Sequence, residues 1–130
     1  MLNSLLSTLK SRQLDAIKHT QGPQLILAGA GTGKTTTITA KIAYMVEKEN
    51  IAPSQILALT FSIEAARNMR EKVEKLLQGK EVIVKTFHSF CCELIKDHAD
   101  RCKVPGDFKT FEAKSPHNDI YQKVILYMIL

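Results

Sequence analysis

The stretch Ala28-Gly29-Ala30-Gly31-Thr32-Gly33-Lys34-Thr35 decides the fold of this 130-residue chain. The apolar run Leu25-Ile26-Leu27 leads into it, and a segment with helical periodicity follows. Strand, glycine-rich loop and helix in that order form a phosphate-binding loop. Successive backbone N–H groups of such a loop wrap a polyphosphate, and the positive end of the following helix adds to the field. Gly29, Gly31 and Gly33 let the backbone approach the anion without a Cβ in the way. Lys34 reaches the β- and γ-phosphates as a mobile point charge, and the Thr35 hydroxyl suits Mg²⁺. Ala28, Ala30, Thr32 and Thr36 complete the nucleotide-binding set, with Ala28 where many such loops have glycine. The competing reading is a glycine-rich turn that merely leads into a helix.

Along the rest of the chain, apolar runs alternate with helical patterns. Residues 25–27, 56–59 and 82–84 have the composition of short buried strands. Ile38, Ile42, Met45 and Val46 recur at helical spacing between the first two runs, and Ala65, Met69, Val73, Leu76 and Leu77 between the last two. Asn50 and Pro53 close the first of these helices and Gly79 the second. A short helix over residues 12–19 precedes the first strand, with Ser11 as its N-cap and Gly22-Pro23 as its stop. A further helix is expected over residues 89–101, then a break at Pro105-Gly106, an extended piece over 108–111 and a last helix from Pro116. The pattern β-loop-α-β-α-β opens a parallel, doubly wound α/β sheet with helices on both faces.

Composition sets bounds. The chain is 45% hydrophobic and 24% charged, as an ordinary globular domain or part of one is. A net charge of +5 and a pI near 9.2 favour polyanionic partners, but no block of sequence concentrates the charge. No segment has the form of a signal peptide or a membrane span. Cys91, Cys92 and Cys102 are odd in number and two are adjacent, which argues against a disulfide framework and for a reducing cytoplasm.

Three further segments narrow the chemistry. Gln13, in Leu9-Lys10-Ser11-Arg12-Gln13, carries an amide that pairs with adenine by accepting from N6–H₂ and donating to N7. Ile56-Leu57-Ala58-Leu59-Thr60-Phe61-Ser62 ends in two hydroxyls and an aromatic ring, and Val84-Lys85-Thr86-Phe87-His88-Ser89-Phe90 repeats that ending one strand later. In doubly wound sheets these strand ends face the ligand crevice. An aromatic ring plus hydroxyl donors provides a stacking platform and phosphate anchors for single-stranded nucleic acid. The plainer alternative for each phenylalanine is a buried core position.

Together these segments resemble the N-terminal part of superfamily 1 helicases of the UvrD/Rep/PcrA group, from about Leu9 to Cys91. The resemblance implies a P-loop NTPase with an incomplete RecA-like sheet. Gln13 corresponds to the adenine-reading Q-motif glutamine, and residues 28–35 to motif I. Thr60-Phe61-Ser62-Ile63-Glu64-Ala65-Ala66 corresponds to motif Ia, and Thr86-Phe87-His88-Ser89-Phe90 to motif Ib. In the family motifs Ia and Ib line the single-strand DNA path, so Thr60, Phe61, Thr86 and His88 inherit that role. Arg67 and Arg70 are weaker phosphate candidates, since Glu71 and Glu74 can pair with them on a solvated helix face. Lys10 stands where the family usually has asparagine. Ile63 and Glu64 replace a polar Asn-Lys pair, a change of two charge units in the wrong direction for holding phosphate.

The implied parent is an ATP-dependent DNA helicase of 3′ to 5′ polarity in repair or replication, with ATP and Mg²⁺ as cofactors and single-stranded DNA or duplex junctions as partners. No apolar strand here ends in the acidic pair that holds Mg²⁺ and activates water in such enzymes. The resemblance further implies that the chain is the opening of motor domain 1A (1–106) plus the entry to the helical 1B insertion (107–130), and without that acidic pair it is expected to be inactive alone. Any homo-oligomer would reflect an exposed sheet edge. The rivals are a non-catalytic nucleotide- or DNA-binding remnant and a small P-loop kinase, for which no arginine-rich lid is present. His88, Cys91, Cys92, His98 and Cys102 lie within helical reach of one another and admit a zinc site, although Ile95 shares their stripe.

Overall fold

The computed structural model describes residues 1–105 together with Asp107 and Phe108. The expected piece over 108–111 falls almost wholly outside them, and the helix from Pro116 entirely so. Among the described residues eight regular elements follow in order: α1 (Leu2–Leu6), α2 (Ser11–Lys18), α3 (Lys34–Glu47), β1 (Leu57–Thr60), α4 (Ile63–Leu76), β2 (Ile83–Thr86), α5 (Phe87–Asp97) and α6 (Ala99–Cys102), with a 3-10 turn at Pro53–Gln55. The chain divides into compact units at Phe90/Cys91, and the core and both candidate sites belong to the first.

β1 and β2 run parallel, joined through α4 as a βαβ unit requires. Their register pairs Ala58 with Val84 and Thr60 with Thr86, so the two strands end level. Successive strand residues point to opposite faces. Val84 is buried and Ala58 half-buried against the helices, whereas Leu57, Leu59 and Ile83 are exposed. The described residues thus cover one face of the sheet, not the two that the sequence pattern predicts. The core lies on the covered face, where Leu2 of α1, Ile42, Ala43 and Val46 of α3, and Ala66, Met69, Val73 and Leu76 of α4 meet.

Both long helices form where periodicity places them, with small shifts of face. On α3 the buried stripe is Thr39, Ile42, Ala43 and Val46, and Ile38 is exposed. On α4 it is Ala66, not Ala65, that faces the core. Ser62 caps α4 by accepting from the Ala65 N–H at 3.2 Å. Asn50, Gln78 and Gly79 adopt left-handed backbone just past α3 and α4, as C-terminal stops do.

Three expectations are corrected. The run at residues 25–27 is not a paired strand: neither β1 nor β2 forms a ladder with it, and Leu25 and Leu27 are 82% and 86% exposed. An extended segment needs a neighbouring strand to satisfy its backbone groups, and the described residues supply none beside it. Ser11 is the first residue of α2, and Lys10 is the N-cap. The expected helix over 89–101 is interrupted at His98, where α5 gives way to α6. Helix α1 went unanticipated, since five residues carry too little periodicity to reveal it.

Val73 is 1% exposed at the centre of the core. Val73→Ala removes two buried carbons and leaves a cavity, so urea denaturation is expected to show a loss of about 2 kcal/mol. Leu59→Ala on the open face is expected to change stability by less than ~0.5 kcal/mol.

Candidate functional site

The loop before α3 owes its shape to two glycines. Gly31 has φ +72° and Gly33 has φ +85°, the left-handed region that residues with a Cβ avoid. Gly33 is also the N-cap of α3, so the chain turns from loop to helix at that residue. A Cβ there would lie 3.1 Å from Gln13 Nε2, closer than an ordinary contact. Gly29 differs: its φ is not left-handed, and a Cβ would meet only Thr32 Cγ2 at 3.6 Å. Of the three glycines proposed from sequence, two are demanded by the backbone.

Helix α3 starts with no side-chain cap and no acidic residue in its first turn. Its first N–H groups have no intrahelical partner and carry the positive end of the helix dipole. The Lys34 ammonium folds back over the loop, donating to the Ala28 and Gly29 carbonyls at 3.0 Å each. Thr32 Oγ1 closes the loop on itself by donating to Gly29 O at 2.7 Å. Thr35 and Ala30 are exposed and Thr36 is half-buried. The Thr35 hydroxyl bonds to no other described group, which leaves it available as an oxygen ligand to a hard cation.

Gln13 joins α2 to this loop. Its Oε1 accepts from the Lys10 N–H at 3.0 Å, fixing the start of α2. Its Nε2 donates to Thr32 O at 3.4 Å and to Thr37 Oγ1 at 3.3 Å, and Thr37 Oγ1 donates to Gly33 O at 3.1 Å. A cavity of about 750 Å³ opens here, lined among others by Gln13, Ala28, Gly29, Gly31, Thr32 and Lys34. Arg12 and Thr37 line it as well. Sequence reading missed both: Arg12 had its place beside Gln13 as a signal, whereas Thr37 is one hydroxyl in a run of three.

The second group assembles at the carboxyl ends of the strands. Thr60 and Thr86 are register partners, so both Thr-Phe pairs leave the sheet at the same rim. Phe61 is fully exposed and Phe87 is 63% exposed, which overturns the core alternative for both rings. The two threonine hydroxyls already serve the backbone. Thr60 Oγ1 donates to Ser62 O at 3.0 Å, and Thr86 Oγ1 accepts from the Ser89 N–H at 3.1 Å. Thr86 thereby caps α5, a duty invisible in the sequence. A hollow of about 370 Å³ collects Arg67, Arg70, Lys85, Thr86 and His88. Arg70 donates to Val84 O at 2.7 Å, which ties α4 to β2. This hollow shares no lining residue with the cavity at the loop. Among the described residues no three His, Cys, Asp or Glu side chains converge to hold a metal.

The family model for the UvrD/REP helicase N-terminal domain matches residues 9–129. The chain belongs to that family. A protein from Staphylococcus aureus named ATP-dependent DNA helicase PcrA is 41% identical over 109 residues, covering 82% of this chain and 15% of the relative. The like-named protein of Staphylococcus epidermidis is 38% identical over the same coverage. The chain thus spans about 15% of the length of the curated relatives it matches. Membership brings with it a P-loop NTPase fold, with which the parallel β1–β2 pair and its helices are compatible. No helix of the described residues is long and apolar enough to cross a membrane.

An alanine at position 33 must adopt left-handed backbone and press on Gln13. Gly33→Ala is expected to cost about 1–2 kcal/mol in a denaturant titration, and Gly29→Ala less than ~0.5 kcal/mol.

Proposed function

We propose that this chain supplies the phosphate cradle and part of the DNA track of an ATP-dependent DNA helicase. The observation that carries the reading is the loop itself: left-handed Gly31 and Gly33 open onto an uncapped α3 while Lys34 spans the loop carbonyls. In this proposal Lys34 exchanges those carbonyls for the β- and γ-phosphates of ATP, and the loop amides from Gly29 to Thr36 surround the anion. Thr35 would hold Mg²⁺, which when bound neutralises phosphate charge. Gln13 turns its amide to the adenine edge, with Arg12 near the phosphates. Family membership and the names of the relatives support ATP as the nucleotide and DNA as the polymer.

Phe61 and Phe87 then serve as stacking surfaces for single-stranded DNA, with Thr60, Thr86, His88 and Arg67 toward its backbone. Closing of two motor domains over ATP would move these grips stepwise, 3′ to 5′, in repair or replication within the cytoplasm. Residues 1–106 would open motor domain 1A and 107–130 would enter 1B. The water-activating carboxylates would come from elsewhere in the parent protein, so this chain by itself would bind nucleotide without turning it over.

Calorimetry with ATP and Mg²⁺ tests the cradle. Binding is expected for the chain and at least ~10-fold weaker binding for Lys34→Ala, the scale of a lost charge-assisted contact. Phosphate release in the same samples is expected to stay at background. Binding that is indifferent to Lys34, or rapid release that depends on it, would contradict the proposal.

Phe61→Ala is expected to weaken binding to a thymidine oligonucleotide by about 1–3 kcal/mol, the worth of one stacked base. Glu64→Lys is expected to tighten it and to steepen its salt dependence by about one unit of log-log slope. Fluorescence anisotropy across a salt series reads both.

A further inference from the structure

Lys41 belongs to no motif, and it does not line the cavity at the loop. It lies on α3 two turns beyond Lys34. Its ammonium donates to Ala16 O at 3.2 Å, to His19 O at 2.6 Å and to Gln24 Oε1. An ammonium has three donors, so all three are engaged. The acceptors share a location. Ala16 and His19 are at the C-terminal end of α2, where carbonyls lack helical partners and the dipole is negative. Gln24 is on the connection that leads into the phosphate loop. Burial lowers the pKa of Lys41 below the ordinary lysine value.

Helix α2 needs such a hold. It has eight residues, too few to be stable alone, and only Ile17 among them is buried. At one end it is fixed to α3 and the loop through Gln13, Thr32 and Thr37. At the other end the hold is Lys41. We propose that Lys41 is a positioning residue which clamps α2 to α3, keeping the Gln13 amide over the loop and so setting the preference for an adenine nucleotide over bare polyphosphate. The proposal rests on the reading of Gln13 as the adenine contact. Lys41 touches no part of the nucleotide; it acts through the placement of α2.

The test compares ATP with inorganic tripolyphosphate, which has the phosphates and no base, by calorimetry. Gln13→Ala, Lys41→Met, the double variant and Gln24→Ala are compared with the unaltered protein. Hydrogen exchange is followed on α2. Lys41→Met is expected to lower ATP affinity by about three- to tenfold while tripolyphosphate affinity stays within about twofold, the size of one or two lost hydrogen bonds. Exchange in Ser11–Lys18 is expected to speed up while α4 is unchanged. In the Gln13→Ala background Lys41→Met is expected to cost little more, since both act on one contact. Gln24→Ala removes one exposed acceptor and is expected to show the same selective loss in smaller measure, even should Lys41→Met fail to fold.

The outcomes separate the two readings. If Gln13→Ala selectively weakens ATP but Lys41→Met and Gln24→Ala do not, the clamp is overturned and the adenine reading stands. If Gln13→Ala leaves ATP affinity unchanged, the adenine reading falls and the selectivity assigned to Lys41 falls with it. Equal loss of ATP and tripolyphosphate in Lys41→Met and Gln24→Ala, or additive loss in the double variant, overturns the clamp as well.

Discussion

The backbone reversal at Gly33 is the constraint on which the site depends. Its left-handed φ ends the loop and starts α3 in one residue. From that start the free amides of the first turn face the loop, and Lys34 leaves the helix in position to reach back over it. The same residue has room above its Cα for the Gln13 amide and offers its carbonyl to Thr37. Conformational freedom, helix polarity and the contact to α2 therefore meet at one glycine. A side chain there would disturb all three at once, which is why a substitution at this glycine is expected to cost more than one at Gly29, four residues earlier.

Helix α3 spreads that local geometry into the fold. One face packs with α1 and α4 over the inner face of the sheet through Ile42, Ala43 and Val46. Another meets α2, where Ile17 and Ala40 are fully buried. Helix α3 thus joins the glycine loop and the Gln13 helix to α4, and α4 in turn packs on both strands. The strand ends sit at the rim of that sheet, and their level register brings Phe61 and Phe87 out together.

Much of this was legible from residues. The apolar runs at 56–59 and 82–84 became β1 and β2 with ends moved by one or two residues, and the apolar spacing of α3 and α4 located both helices. The run at 25–27 has the same composition, yet it is unpaired, because strand formation depends on a neighbour and composition does not encode one. Lys34, Thr35 and the loop glycines were proposed from the motif and its flanks, and the left-handed backbone at Gly31 and Gly33 agrees with a loop of that shape. Thr37 and Lys41 were not, since their partners are distant in sequence: Gln13 is 24 residues from Thr37 and Ala16 is 25 from Lys41. The capping duties of Thr86 and Ser62 were hidden for a different reason. A hydroxyl at a strand end serves a backbone amide or a phosphate with the same chemistry, and only geometry assigns it.

The central claim is that the loop amides and the first turn of α3 form the anion cradle. Backbone amide NMR during a titration with ATP and Mg²⁺ tests it most directly. The largest shifts are expected on Gly31, Gly33, Lys34 and Thr35, with Gln13 side-chain resonances moving in step. Shifts confined to other surfaces, or none at saturating nucleotide, would contradict it.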